Sequence, residues 1–314
     1  MKLYINVPRL LFSLFILLAL CLFANYAGAQ TLKVATGDPK GNYSRIFKEL
    51  MAACSNTIQV GEVNTDGSNS NVDMIVRNEV NGAVVQPDVL KFRAFNEDLS
   101  GFKTLFTLYP EEIHIVAKAV SGLTSGGTGV GSLRFNTKDV VFNSVDDLNG
   151  YKIGAAGGSV ITARLIKSVA DLKYEVVTFS SNDLAKAALD KGEIQALLLV
   201  GGQPMAFVDA LGPNYKLLRI SETASDKLKA VYSPAKLTYT RMGPAGTGIQ
   251  TMAQRATFIV VDYKTPKMSS QLLALRSCMT DKLDDLKEKT GNHPKWRTVN
   301  PEDKGNWVWY TGTK

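Results

Sequence analysis

The sequence predicts an α/β protein of two similar lobes with a cleft between them, and three observations carry that prediction. Short β-rich runs alternate with helical stretches, the rhythm of a parallel sheet flanked by helices. That rhythm stops after residue 117 and restarts at Ser144, so two units of like construction follow one another, roughly 31–117 and 144–242. The tail from Gly243 carries one strand and one long helix, too little for a domain, and most simply folds back to complete the first unit. Two interlobe crossings follow, near 108–118 and 232–250, so that lobe 1 comprises 30–115 plus 244–314 and lobe 2 comprises 116–243.

The elements are read in chain order. Thr31–Thr36 is a strand ending in the turn GDPKGN, and Asn42 opens a helix over Tyr43–Cys54 whose Ile46, Phe47 and Leu50 share a face. Strands follow at Thr57–Val60 and Gly82–Gln86, with a helix over Val72–Asn78 between them and Pro87 starting another. Phe102–Leu108 and Ile113–Ala119 read as two strands separated at Tyr109-Pro110. Residues 121–143 are rich in Gly, Ser and Thr and read as an exposed excursion. The second unit runs strand Lys152–Ala155, helix Val160–Val169, strand Tyr174–Thr178, helix Asp183–Leu189 and buried strand Ile194–Val200. A helix opened by Gly201-Gly202-Gln203-Pro204 reaches about Leu211, a strand spans Lys216–Ile220, and 222–230 has helical character. The tail gives strand Ala256–Val261 and a helix over about Lys267–Lys289.

The chain's start has a different logic. Lys2 and Arg9 precede an apolar stretch over Leu10–Ala24, and Ala27 and Ala29 stand where a signal peptidase reads. Residues 1–29 therefore read as a signal peptide cleaved before Gln30, which places the product in the periplasm. Its removal takes two basic residues and leaves 34 basic against 29 acidic, a net charge of +5 in place of +7. So small a charge, with no arginine-rich arm and no Cys/His finger, argues against nucleic acid as a partner. Three cysteines and two histidines leave little for a metal site, and no metal or other cofactor is expected. The exported part keeps Cys54 and Cys278; an even count invites one disulfide, and two buried small hydrophobes are the alternative.

The chemistry on offer is that of binding. Three glycine-rich turns follow strands and precede helices: TGDPKGNY at 36–43 (with Gly37), AAGGSV at 155–160 and GGQPM at 201–205. Such turns present free backbone N–H groups and the positive end of a helix dipole, which hold a carboxylate or phosphate without a dedicated cation. None is a nucleotide motif, and neither G-x-S-x-G nor H-E-x-x-H occurs. His114 and His293 read as structural, the acids are scattered, and no catalytic set assembles, so an enzyme is not expected. Polar groups at the presumed cleft are Gln86 at a strand's end, Tyr43, Asn64, Ser159, Thr162 and Gln203, with Arg164 as a candidate carboxylate partner.

These residues also carry a resemblance. The strand LKVATG with GNYSRIFKEL, then NGAVVQPDVL, LYPEEIHIVAKAVSGL, SVDDLNGYKIGAAGGSVITARLI, KGEIQALLLVGGQPMAFVDAL and HPKW appear in that order. In sequence and order they resemble the TAXI family of solute-binding receptors of tripartite ATP-independent periplasmic (TRAP) transporters. The resemblance implies a type II-like periplasmic binding protein, a monomer that closes on a small organic anion of the carboxylate, amino acid or dicarboxylate class. It implies delivery to the membrane permease subunits of a TRAP transporter. It places the family's first-loop site on Asn42 and Tyr43, its Val-Gln on Gln86, its second-lobe turn on Gly157, Gly158, Ser159 and Val160, and its Gly-x-Pro on Gly202, Gln203 and Pro204. A sensing or regulatory binding module on the same fold is the alternative function.

Overall fold

The computed structural model describes residues 32–125, 138–303 and 307–312. The signal peptide expected at 1–29, its cleavage before Gln30 and much of the excursion at 121–143 lie outside the described residues.

The first lobe begins with β1 (Leu32–Ala35), α1 (Asn42–Cys54), β2 (Val60–Val63), α2 (Ser68–Val76), β3 (Gly82–Val85) and α3 (Pro87–Arg93). β1 pairs in parallel with β2 on one side and β3 on the other. Alternate residues of these strands feed two separate cores, as a sheet buried on both faces requires. Leu32, Val34 and Val84 pack with α1's Ile46, Phe47 and Leu50. Ala35, Ala83 and Val85 pack with Val72 and Ile75 of α2 and Val89 and Leu90 of α3.

β4 (Phe102–Lys118) then runs 17 residues without a break, through the Tyr109-Pro110 step where two strands were expected. Pro110 lies opposite Arg255, where the partner strand's register shifts. A residue with no N–H is tolerated at such an irregularity, so the proline does not end the strand. A short ribbon, β5 (Thr124–Ser125) with β6 (Lys138–Asp139), follows.

The second lobe holds β7 (Lys152–Ala156), α4 (Ser159–Ala170), β8 (Glu175–Phe179), α5 (Asn182–Lys191), β9 (Ala196–Gly201) and α6 (Ala206–Asp209). β10 (Tyr215–Leu217), α7 (Glu222–Leu228) and β11 (Ser233–Thr238) complete it. β7 lies between β8 and β9, parallel to both, and β9 pairs antiparallel with the far half of β4 over Glu112–Ala117. The helix expected to run from the GGQPM turn to Leu211 is one turn long, after a cis Gln203–Pro204 bond.

β12 (Thr247–Val261) is the second crossing strand. Its first half pairs with β11 and its second half with β3, and from Ala253 to Val261 it also runs antiparallel to β4. Leu237, Tyr239 and Met242, around the β11–β12 connection, sit in a second-lobe core with Val116, Leu197 and Leu199. The pairing of β12 passes from β11 to β3 between Ala253 and Thr257. The sheet order β2-β1-β3-β12-β4-β9-β7-β8 places β12 and β4, the two strands that belong to both lobes, at its centre.

The C-terminal helix breaks at Lys282 into α8 (Pro266–Asp281) and α9 (Leu283–Glu288), where one continuous helix was expected. Both pack on α1, and the Cys54–Cys278 disulfide joins α1 to α8 across a Cα–Cα distance of 6.0 Å. Both cysteines are buried. Among the described residues no helix is long and apolar enough to cross a membrane.

Candidate functional site

A cavity of about 460 Å³ lies between the two lobes. The first lobe supplies the Gly37–Tyr43 segment, Thr65–Ser68, Gln86 at the end of β3 and Glu111 on β4; the second supplies Ala156–Ser159, Ser180–Asp183, Val200–Gly201 and Met205–Phe207.

Three helices start at its wall in the same way. α1, α2 and α4 are 13, 9 and 12 residues long, with Gly41, Gly67 and Gly158 at their N-caps. None has a side-chain cap bond, and none has an acid in its first turn. Each end thus presents unpaired N–H groups and a partial positive charge to the cavity. α5 differs: Ser181 caps it by accepting from Leu184 N, and Asp183 occupies its first turn.

The α4 turn needs glycine for two separate reasons. Gly157 has φ +54°, and a Cβ there would stand 2.3 Å from the Asp66 carbonyl oxygen of the opposite lobe. A Cβ on Gly158 would stand 2.2 Å from Gln86 Oε1. The absent side chains let the turn of lobe 2 touch lobe 1 backbone to backbone.

The floor is polar and buried. Tyr43 OH donates to Glu111 Oε2 at 2.7 Å and lies 3.4 Å from Ser68 Oγ, which itself accepts from Gln86 N at 3.0 Å. Ser159 Oγ accepts from Val200 N at 3.1 Å, tying the α4 turn to β9. Glu111 is 2% exposed, and its carboxyl is pushed up to about 8. Burial is the main cause, the charges of Asp88 and Glu112 add to it, and the Tyr43 bond opposes it. At pH 7 the floor is thus mainly neutral, while the acids Asp38, Asp66 and Asp183 and the cation Lys40 are exposed residues of the lining.

Behind the cavity the lobes are stitched by side chains. Asp88 Oδ2 accepts from Thr162 Oγ1 at 2.6 Å and from Tyr232 OH at 2.7 Å, both in lobe 2. Asn42 Nδ2 donates to the Gly202 carbonyl at 2.5 Å. At the crossing strand, Lys295 Nζ forms a buried ion pair with Glu112 Oε1, and Glu112 Oε2 accepts from Gln203 N at 2.9 Å. The HPKW segment is thereby anchored: Trp296 Nε1 and His293 N both donate to the Glu49 carboxylate on α1.

Of the residues singled out in the sequence, Gly37, Asn42, Tyr43, Gln86, Gly157, Gly158 and Ser159 line the cavity. The others do not. Arg164 is exposed on the far side of α4 and contributes no cation to the site. Thr162 is committed to Asp88, and Val160 is buried in the second-lobe core. Asn64 props the first turn from behind by donating to the Gly37 carbonyl at 3.0 Å. Gln203 turns outward to β11, donating to Lys236 O and accepting from Thr238 N. Gly202 packs on the Tyr109 ring, and Pro204 follows the cis bond outside the lining. Glu111 and Ser68 were not singled out; an acid inside the apolar run of β4 is the sequence signal for the first. His114 is fully buried, with its ring nitrogens beside Glu112 O and Tyr239 OH. Among the described residues no group of three or more His, Cys, Asp or Glu could hold a metal ion.

No family model matches the sequence. Among solved structures, the amino acid ABC transporter substrate-binding protein AbpA from Streptococcus pneumoniae, bound to L-arginine, aligns with TM-score 0.50 at 13% identity over 85% of this chain and 95% of its own. The GluR0 ligand-binding core with L-glutamate aligns with TM-score 0.49 at 12% identity, over 82% of this chain and 96% of its own. At 13% identity the likeness to AbpA speaks to the fold alone, and it agrees with the two lobes and shared central strands described above. The chain has the bilobed α/β fold of the type II periplasmic binding proteins.

Proposed function

We propose that the protein is a solute receptor that closes its lobes on a small organic anion, of the carboxylate, amino acid or dicarboxylate class. One observation carries this reading: three uncapped, glycine-started helix ends meet at one cavity whose buried carboxyl, Glu111, is pushed by burial up to about 8. Converging helix N-termini favour an anionic group and supply the N–H donors that orient it. A cavity of about 460 Å³ is the size expected of a small-molecule site. Asp66 and Asp183, exposed acids of the lining, are the candidate partners for the ammonium of an amino acid.

Delivery to a TRAP-type permease is the further part of the proposal, supported by the ordered motifs from GNYSRIFKEL to HPKW. So is a periplasmic location, supported by the signal-like residues 1–29. Thermal unfolding of the purified protein against a panel of small carboxylates, amino acids and neutral sugars tests the binding reading. A rise in Tm for carboxylates, confirmed by calorimetry, is expected. A response confined to sugars or to cations lacking a carboxylate would overturn it. Uptake of the same solute by cells carrying a neighbouring multi-spanning permease, lost when the receptor is deleted, tests the transport part.

A further inference from the structure

We infer that Glu111 sets the specificity of the cavity: in its protonated form, its free oxygen donates the hydrogen bond that orients a ligand carboxylate. The inference rests on the anion-binding reading above and goes beyond it by assigning a proton to the bound complex.

The geometry leaves this role to Glu111. Its carboxyl is buried in the cavity floor, on the strand shared by both lobes. Oε2 is occupied by the Tyr43 hydroxyl at 2.7 Å, and Oε1 has no protein hydrogen-bond partner among the described residues. The charged and titratable groups that face it from the packed elements are Tyr43 on α1, Asp88 on α3, Tyr109 and Glu112 on β4, and Lys295 near the C-terminus. All but Tyr109 are already engaged, and the buried Tyr109 hydroxyl has no hydrogen-bond partner among the described residues. Lys295 is committed to Glu112, Asp88 is held by Thr162 and Tyr232, and Tyr43 donates to Glu111 itself. Among the described residues, Lys295 is the one cation that faces Glu111 from these packed elements, and Glu112 already holds it. A ligand carboxylate drawn to the three helix ends would meet a like charge on the same floor, unless one proton is shared between the two carboxyls. A protonated carboxyl is a donor, so the shared proton turns repulsion into a hydrogen bond.

Two consequences separate this from a merely structural glutamate. Because the free carboxyl titrates at about 8, affinity for an anion holds steady below that pH and falls tenfold per pH unit above it. Glu111→Gln keeps a donor of the same shape and removes the titration.

The experiment is calorimetric titration of the purified protein with 2-oxoglutarate and with L-glutamate between pH 6.5 and 9.5, repeated on Glu111→Gln and Glu111→Ala. The expected result is a wild-type affinity for 2-oxoglutarate that falls more than tenfold between pH 8 and 9.5. Glu111→Gln should lose the pH dependence, its affinity changing less than twofold between pH 6.5 and 9.5, and Glu111→Ala should bind tenfold or more weakly than Glu111→Gln at pH 7. A wild-type affinity that is flat or rises with pH overturns the inference, as does a hundredfold loss in a folded Glu111→Gln, which would mark the ionised carboxylate as the required group. No saturable binding of either solute at pH 6.5 removes the anion reading itself.

Discussion

Replacing Gly157 by alanine separates closure of the lobes from stability of the fold. The new methyl would stand 2.3 Å from the Asp66 carbonyl oxygen, against a floor of 3.0 Å for real Cβ contacts, so the α4 turn must retreat from lobe 1 by about 0.7 Å or more. The residue also keeps its left-handed φ of +54°, which costs about 1–2 kcal/mol whether or not a ligand is bound. The retreat stretches any ligand bond made to the α4 N-terminus while the first lobe keeps its own. Two hydrogen bonds to a charged acceptor, each worth about 1.5 kcal/mol, make the loss about 3 kcal/mol, or roughly 100-fold in Kd. Gly192→Ala is the control: its φ is +78°, nothing lies within 4 Å of the added methyl, and it bears only the backbone strain. Urea unfolding should show the two variants destabilised alike, and calorimetry with the carboxylate that gives the largest rise in Tm should show weakened binding in Gly157→Ala alone. A Gly157→Ala protein that binds within threefold of wild type would refute the argument that the two lobes meet through this turn in the bound state.

Further outcomes follow from buried charge and from the disulfide. Lys295→Met strands the Glu112 carboxylate in a site where both side chains are 6% exposed, and should cost about 3–5 kcal/mol in urea unfolding. Adding Glu112→Gln to that variant should recover most of the loss, and a single-variant cost below about 1 kcal/mol would contradict the buried pair. The Cys54–Cys278 bond closes a loop of 224 residues, for which chain entropy gives about 5 kcal/mol of stabilisation; the double alanine variant should unfold at correspondingly lower urea. Stability should also fall on both sides of neutrality. Glu111 holds its proton more firmly folded than unfolded, so its contribution declines as pH rises from about 4.5 through 8, at about 1.4 kcal/mol per pH unit across that window. His293 and His114, lowered by burial to about 4 and about 3, take up protons more readily when unfolded, so stability declines as pH falls below about 6.5. Tm measured from pH 5 to 9 should show both declines, with the alkaline one diminished in Glu111→Gln.

What could be read from the sequence divides along a physical line. The turns at 37–43 and 157–159 lie at the cavity because glycine's backbone freedom and a following helix are local properties. The side chains beyond them depend on phase and on partners far away in sequence. Arg164 lies five residues past Ser159, and at about 100° per residue that turns it some 140° from the cavity face. Thr162, three residues on, shares the inward face but meets Asp88 of the other lobe, a contact spanning 74 positions. Gln203 follows a strand-to-helix turn as expected, yet the helix is a single turn, and the residue's amide is captured by β11. Glu111 escaped notice for the opposite reason. Its neighbours announce a buried strand, but only the pairing of β4 with β12, and the Tyr43 hydroxyl brought to it by α1, show that its carboxyl is buried in the floor of the cavity. Pro110 misled in the same way, because a non-local register shift accommodates it.

The proposed carboxylate site lies where the helix ends converge. It is tested most directly by following the backbone amide resonances of the isotopically labelled protein during titration with L-glutamate and 2-oxoglutarate at pH 6.5. Saturable shifts are expected to concentrate at Asn42, Ser68 and Ser159, the first residues of α1, α2 and α4, in both lobes at once. Saturable binding that leaves those three amides unmoved, or no binding of either anion, would contradict it.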